Sequence, residues 1–334
     1  MTGITLAQLA ALETEPLRKG IILNIIRDAQ IFEKIPFENV NSLHVIGTRW
    51  SKLPTGGAWR RLNAGYTASQ EGTVEQVEES LYIFGGEITY DRLLAKITNF
   101  IEDPVTVQTK MKIKALAYGW KNQFINGDLA TEPDGFEGLK KRVANLPARQ
   151  KVCATTSTSA APLDPLGTTA LARRYLDVIE ESKKYCNGGQ VDAMFANEAQ
   201  ILGIGRVMRY AQFNGNLLDV TKDTVGREFL TLNGKPVFDL SYKADQSTEI
   251  ITNTETAGDG GADSTSMYFA SFDKEEGIYG IQLEPMKIYD PLNGAESPTS
   301  PAMIRRVDWA NGLAMFGSYG LVRLWNIAAP SSWT

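Results

Sequence analysis

Histidine occurs once in the 334 residues, at His44, and cysteine twice, at Cys153 and Cys186. These shortages exclude whole classes of chemistry. A zinc site needs three or four Cys, His or carboxylate ligands brought together, and one His with two separated Cys offers no Cys/His cluster. A Ser-His-Asp or Cys-His arrangement would have to run through His44, which sits in a strand-like segment without a nucleophile motif nearby. The two thiols meet only by tertiary accident, and nothing points to an oxidising compartment. No apolar run approaches the 18 residues of a membrane span, and the first 20 residues have neither the basic lead nor the apolar stretch of a signal peptide. There is no GxxxxGK[ST]. Gly203-Ile-Gly205 falls inside a predicted helix, where it reads as close packing, not as a dinucleotide fingerprint. Asp245, Asp259 and Asp263 lie in loops without EF-hand spacing. The expectation is a chain with no catalytic residue, no cofactor site and no metal site.

What is present is a long helix, read from Asp103 to Gly127 (DPVTVQTKMKIKALAYGWKNQFING). Asp103 can cap the first turn, Pro104 suits the first helical position, and Gly127 suits a left-handed end. The helix would span about 35 Å. Its apolar side chains form two stripes. Val107, Met111, Tyr118 and Ile125 share one face; Ile113, Leu116, Trp120 and Phe124 lie nearly opposite. A surface helix carries one stripe, so two predict a helix covered on both sides, an ordinary buried core helix being the alternative.

Before it lies a basic ribbon, Asn41 to Tyr66 (NSLHVIGTRWSKLPTGGAWRRLNAGY), read as two extended arms around a turn-rich tip at 52–57. Each arm would reach about 30 Å at strand rise. Arg49, Lys52, Arg60 and Arg61 are its charges, no acid is among them, and Trp50, Trp59 and Tyr66 are interleaved. The large side chains follow no one-face pattern, which predicts that the ribbon is not packed within its own subunit. Then the sign flips: Glu71, Glu75, Glu78, Glu79, Glu87 and Asp91 precede the next base, Arg92. Gly85-Gly86 is expected to break or bulge this second strand. A basic ribbon followed by an acidic strand can pair head-to-tail between identical subunits, a contact that closes into rings or shells; folding back within one chain is the alternative. The candidate inter-subunit residues are Arg49, Trp50, Lys52, Trp59, Arg60, Arg61, Glu75, Glu78 and Glu79.

The remainder alternates helices and short strands. Residues 1–15 read as an arm, Pro16 to Gln30 as a short amphipathic helix, and Asp134 to Leu139 as the opening of another that runs to Ala144. Residues 146–167 read as a surface loop. Helices are expected at Thr168 to Tyr185 and after Asn197, which with Gln200 resembles a capping box. A buried strand is expected at Val191 to Ala196, a hairpin turn at Asn233-Gly234, and an exposed loop from Asn253 to Ser266. Strands are expected near 267–273, 278–283 and 286–290, and a long one from Met303 to Phe316.

Several stretches in this order, GGAWRRLNAGYTAS, SLYIFGGEITYDRLL, KALAYGWKNQFINGD, DGFEGLKK, VDAMFANEAQ and MIRRVDWANGLAMFGSYGLVRLWNI, make the chain resemble the major capsid proteins of tailed double-stranded-DNA bacteriophages. The resemblance covers residues 17 to 327. It implies an α+β fold of the HK97 type: an N-terminal arm (1–40), an extended β-hairpin or E-loop (41–70), a peripheral domain with a long spine helix (71–127 and 296–334), and an axial domain (128–295). It implies a structural protein, not an enzyme, assembling into hexamers and pentamers of an icosahedral head shell. The implied partners are other copies, a portal, a scaffold or decoration protein, and packaged double-stranded DNA held without sequence specificity. It also implies location in the virion after assembly in the host cytoplasm, with no membrane. Only about 40 residues precede the ribbon, so the scaffold is expected to be a separate protein or absent. Some relatives crosslink Lys to Asn; Lys52 has the right place, but no acceptor is identifiable. The alternatives are an encapsulin-type compartment and a nucleic-acid-binding module using the basic hairpin.

Overall fold

A computed structural model describes residues 4–5, 31–52, 59–65, 71–91, 104–211, 218–222, 228–240, 242–261, 263–292, 297 and 301–330. The expected helix at Pro16 to Gln30, the ribbon tip at 53–58, and the capping residue Asp103 lie outside them.

Two sheets share one core. The first contains β1 (Ile4–Thr5), β2 (Pro36–Asn39), β5 (Tyr82–Asp91), β12 (Tyr279–Gln282), β13 (Lys287–Tyr289) and β14 (Ala302–Ala314). Its axis is the antiparallel pair β5–β14, in register from Tyr82↔Asn311 to Asp91↔Ala302. The second sheet has the order β6 (Lys151–Cys153), β15 (Leu321–Ala328), β11 (Ser264–Ala270), β7 (Ala193–Ala196), β10 (Lys235–Asp239), β9 (Glu228–Leu232), β8 (Leu218–Lys222). The period-2 alternation of strands sorts its side chains. Met194 and Ala196 face the helices α4 (Thr169–Tyr185) and α5 (Glu198–Tyr210), where Tyr175, Ile179, Ile204 and Val207 are buried. Ala193 and Phe195 face the other way, into the core formed with the first sheet.

The long helix α2 (Pro104–Asn126) joins the two layers. Trp120 and Phe124 stack at 5.3 Å between ring centres; Trp120 also meets Phe32 of the short helix α1 (Ile31–Lys34) at 4.4 Å. Phe124 meets Phe195 of the second sheet edge-on at 5.4 Å. Buried polar atoms are paired in a chain: Trp120 Nε1 donates to Asn311 Oδ1 at 3.1 Å, Trp309 Nε1 to Gln282 Oε1 at 3.0 Å, and Gln282 Nε2 to Asn39 Oδ1 at 2.9 Å.

Several expectations match closely. Helix α4 begins after Thr168, whose hydroxyl accepts from Leu171 N. Asn197 caps α5 by accepting from Gln200 N at 2.8 Å, but the Gln200 side chain is buried without a partner, so only half of a capping box forms. Asn233 and Gly234 both have positive φ, at 55° and 74°, as a tight hairpin turn of the right twist requires.

Other expectations are corrected. Gly85-Gly86 neither breaks nor bulges β5; the ladder runs through both, opposite Asp308 and Val307. At Gly85 a Cβ would strike the Val307 carbonyl oxygen, whereas at Gly86 it would meet the flexible end of the Lys112 side chain, which can move aside. Gly127 is not left-handed; its N–H donates to Gln123 O at 2.9 Å, and a Cβ there would strike the Phe136 carbonyl. Of the two stripes on α2, Ile113, Leu116, Trp120 and Phe124 are buried, but on the other face only Ile125 is, and Met111 is 66% exposed. Residues 264–266, expected in an exposed loop, are a fully buried part of β11, and residues 151–153, within an expected loop, form β6. Helix α3 starts at Leu139, after a non-helical approach, and ends at Ala144.

β12 and β13 pair with β14 in the sheet that holds β5, while β15 lies in the sheet with β7 and β11. The chain passes from the second sheet to the first between 270 and 279 and back between 314 and 321.

Candidate functional site

The ribbon exists, but its second arm is not the one expected. β3 (His44–Lys52) pairs antiparallel with β4 (Thr73–Ser80), from His44↔Ser80 to Lys52↔Thr73. The basic and acidic strands thus form one hairpin within one subunit, and the ribbon extends beyond the expected 41–70. Residues 59–65, expected as a returning arm, are exposed and carry a turn in which Ala64 N donates to Arg61 O, with Asn63 at φ 63°.

Alternation gives the ribbon two faces. Val45, Gly47 and Arg49 face the body with Val77 and Glu79; His44, Ile46 and Thr48 are exposed with Gln76 and Glu78. The base rests on a small apolar cluster of Tyr279, Ile281 and Ala314, against which Val45, Leu81 and Phe316 pack. Gly47 lies flat on the Phe316 ring, where a Cβ would collide.

Two guanidinium groups pin this base. Arg49 Nε donates to Phe316 O and Nη2 to Met315 O, each at 3.1 Å. Arg142 of α3 forms a bidentate pair with Glu79: Nη1 bonds Oε1, and Nη2 reaches Oε2 at 2.8 Å. Arg142 also donates to Leu313 O and Glu137 O, both at 2.8 Å, and is 5% exposed. Four acceptors around one planar cation satisfy it inside the protein.

The candidate residues therefore separate. Arg49 and Glu79 are engaged in their own subunit. Glu78 is exposed and meets His44 Nδ1 at 3.0 Å. Glu75 is exposed. Trp59, Arg60 and Arg61 are exposed, Trp59 at 105%. Trp50 and Lys52 continue β3 opposite Val74 and Thr73, and the expectations for their side chains lie outside the described residues. Sequence reasoning missed Arg142, Phe316 and Met315. Arg142 sits in the short run LKKRVA beside Lys140 and Lys141, with nothing local to single it out.

A second buried charge cluster ties α3 to the second sheet. Glu255 is paired with Arg323 at 2.9 Å and Lys140 at 2.8 Å, and accepts from Ser266 Oγ. Burial would push its carboxyl up, but Arg323, Lys140 and Ser266 outweigh that and hold it below the usual range. Cys186 is buried; burial, with Asp192 nearby, pushes its thiol up to about 12, the signature of packing instead of reactivity. Among the described residues no group of three or more His, Cys, Asp or Glu is placed to hold a metal ion, and no helix is long and apolar enough to cross a membrane.

Gly47→Val is expected to lift the ribbon base off Phe316 and loosen both Arg49 hydrogen bonds, at about 1–3 kcal/mol for overpacking. Hydrogen exchange would show faster amides in β3 and β4 with the second sheet unchanged. Unchanged exchange in the ribbon would mean that Phe316 simply moves aside.

The sequence profile of the family described as Major capsid protein GP7 matches residues 20–160. No curated protein matches the chain. Solved structures do, at low identity. The holo-SrpI encapsulin complex from Synechococcus elongatus PCC 7942 is 12% identical with a TM-score of 0.60, covering 90% of this chain and 88% of that one. The capsid of the native GTA particle is 14% identical at 0.58, covering 91% and 90%. A chain of Mycobacterium phage Bobi is 9% identical at 0.55, covering 96% and 98%. Fold similarity near full length at such identity reports shared architecture. The chain therefore has the HK97-type capsid fold and, across residues 20–160, matches the sequence pattern of the family described as Major capsid protein GP7.

Proposed function

We propose that this chain is the major capsid protein of a tailed double-stranded-DNA bacteriophage. Copies join as hexamers and pentamers into the icosahedral head shell that encloses the packaged DNA, held without sequence specificity. Assembly takes place in the host cytoplasm, with a portal at one vertex and a scaffold or decoration protein among the partners; the shell is then part of the virion. The chain works by geometry and not by catalysis. The observation that carries this reading is the ribbon. It is pinned to the body at its base, while Trp59 and Leu62 beyond the described ladder are 105% and 91% exposed. A lone subunit has no use for such side chains, whereas an interface concentrates its energy in Trp and Arg.

Negative-stain electron microscopy of the purified chain, alone and with a candidate scaffold, is the direct test. Closed shells are expected, and a lone subunit under both conditions would overturn the reading. Arg60→Glu with Arg61→Glu is expected to abolish closed shells while leaving a soluble, folded subunit, because misplaced like charge at an interface costs several kcal/mol. Normal particles from that variant would remove the electrostatic part of the argument.

The likeness to the Synechococcus encapsulin complex favours one second reading, a compartment holding protein cargo. Shell contents separate the two: nuclease-protected DNA for a phage head, co-purifying protein for a compartment.

A further inference from the structure

The second sheet ends in β6 on one side and β8 on the other, and among the described residues neither has a strand beyond it. β6 is three residues long, which blunts its edge, whereas β8 runs for five, from Leu218 to Lys222. An open strand edge offers unpaired N–H and C=O groups to any other chain in solution.

The register fixes which groups of β8 face outward. Asn233-Gly234 forms a two-residue turn, so the pair Leu232↔Lys235 that closes it is hydrogen-bonded, and Leu230, two residues away, also bonds toward β10. Thr231, between them, bonds the other way, toward Asp219 of β8. Pro236 lies opposite Thr231 on the β10 side, where no N–H is called for. Asp219 therefore turns its main chain inward to β9, and Val220 turns its own outward to the open edge.

That outward N–H is already taken. Val220 N donates to Asp219 Oδ1 at 2.8 Å. The carboxylate lies where an incoming strand would have to place a backbone carbonyl. Val220 itself is 57% exposed, a β-branched apolar side chain of the kind that favours strand pairing. We propose that Asp219 guards the β8 edge: by occupying the Val220 N–H, it keeps the second sheet from adding a strand of another chain. The guard concerns a contact that the subunit avoids, so it stands apart from the contacts that build a shell.

Asp219→Ala in the full chain tests this. It frees the N–H and is expected to raise thioflavin-T fluorescence of the sedimented protein at least about fivefold over the unmodified chain, as strands of different copies stack edge to edge. Closed shells sediment too, so the dye and not the pellet is the readout. Adding Val220→Pro is expected to return the signal to that of the unmodified chain. Proline has no N–H to give an incoming strand, and the β8–β9 ladder loses nothing, because the Val220 N–H points away from it. A soluble, dye-negative Asp219→Ala chain would overturn the proposal. So would fluorescence that Val220→Pro leaves unchanged while hydrogen exchange shows β8 and β9 still paired, since the freed N–H would then not be its cause. Should Val220→Pro unpair the strands, Asp219→Asn takes its place. Its amide oxygen still accepts from Val220 N, so a signal well below that of Asp219→Ala is expected, and equal signals from the two would overturn the guard.

Discussion

Replacing Trp120 with alanine is expected to lower subunit stability by about 3–5 kcal/mol, the range for deleting a fully buried large aromatic. Trp120 is 1% exposed and stands where three layers meet. Phe32 lies 4.4 Å from it, Phe124 5.3 Å, Phe136 5.8 Å and Trp309 6.3 Å between ring centres. These neighbours come from four separate stretches of chain, so none can collapse into the void without displacing another. The indole N–H also holds Asn311 Oδ1, and Asn311 is 1% exposed. Its oxygen would be left buried and unpaired, a loss of about 1–3 kcal/mol that overlaps with the cavity cost instead of adding to it. Trp120→Phe separates the parts: it keeps most of the packing and loses only the hydrogen bond. Urea unfolding of the dissociated subunit would measure both. A Trp120→Ala midpoint close to that of the unmodified chain would mean that α2 does not join the sheets as described.

The second large effect is expected at Arg142. Arg142→Ala leaves the Glu79 carboxylate, 14% exposed at its side chain, without its bidentate partner, and strips a donor from Leu313 O. Removing one partner of a buried ion pair costs about 3–5 kcal/mol, mostly because the remaining charge is stranded. Glu79→Ala with Arg142→Ala should therefore cost much less than the two single changes together, a non-additivity that a double-mutant cycle reads directly. Additive losses would show that the pair is not coupled. Since Glu79 lies at the root of β4, Arg142→Ala should also speed amide exchange in the ribbon.

Much of the fold was legible because it rests on local rules. The limits of α2 follow from Pro104 and from the run without a further proline between it and Gly127. The α4 and α5 starts follow from Thr168 and Asn197, whose side chains accept the first free amides. Asn233-Gly234 marks its hairpin because few other pairs tolerate positive φ twice. Of the candidate interface, Trp59, Arg60 and Arg61 were visible as an aromatic beside two bases with no acid nearby.

What failed was pairing. The turn signals at 52–57 suggested that the chain returns at once, yet β3 pairs with the strand at 73–80. Both continuations are extended and polar, and only the ladder decides between them. Gly85-Gly86 looked like a break because a sequence shows the missing side chain and not the Val307 carbonyl that leaves no room for one at Gly85. Arg142 was invisible for a related reason, since its acceptors come from residues 79, 137 and 313.

The sequence by itself determined the limits of α2, the starts of α4 and α5, the hairpin turn at Asn233-Gly234, that His and Cys are too few for most metal and nucleophile chemistry, and which family the chain resembles. Those properties depend on neighbours a few residues apart, where backbone geometry and hydrogen bonding are local. Only the tertiary structure decided which strand closes the ribbon, which stripe of α2 is covered, where the chain crosses between its sheets, and that β8 lies at an open edge. Those depend on contacts between residues far apart in the chain, made when the layers pack together and removed water sets which charges must pair.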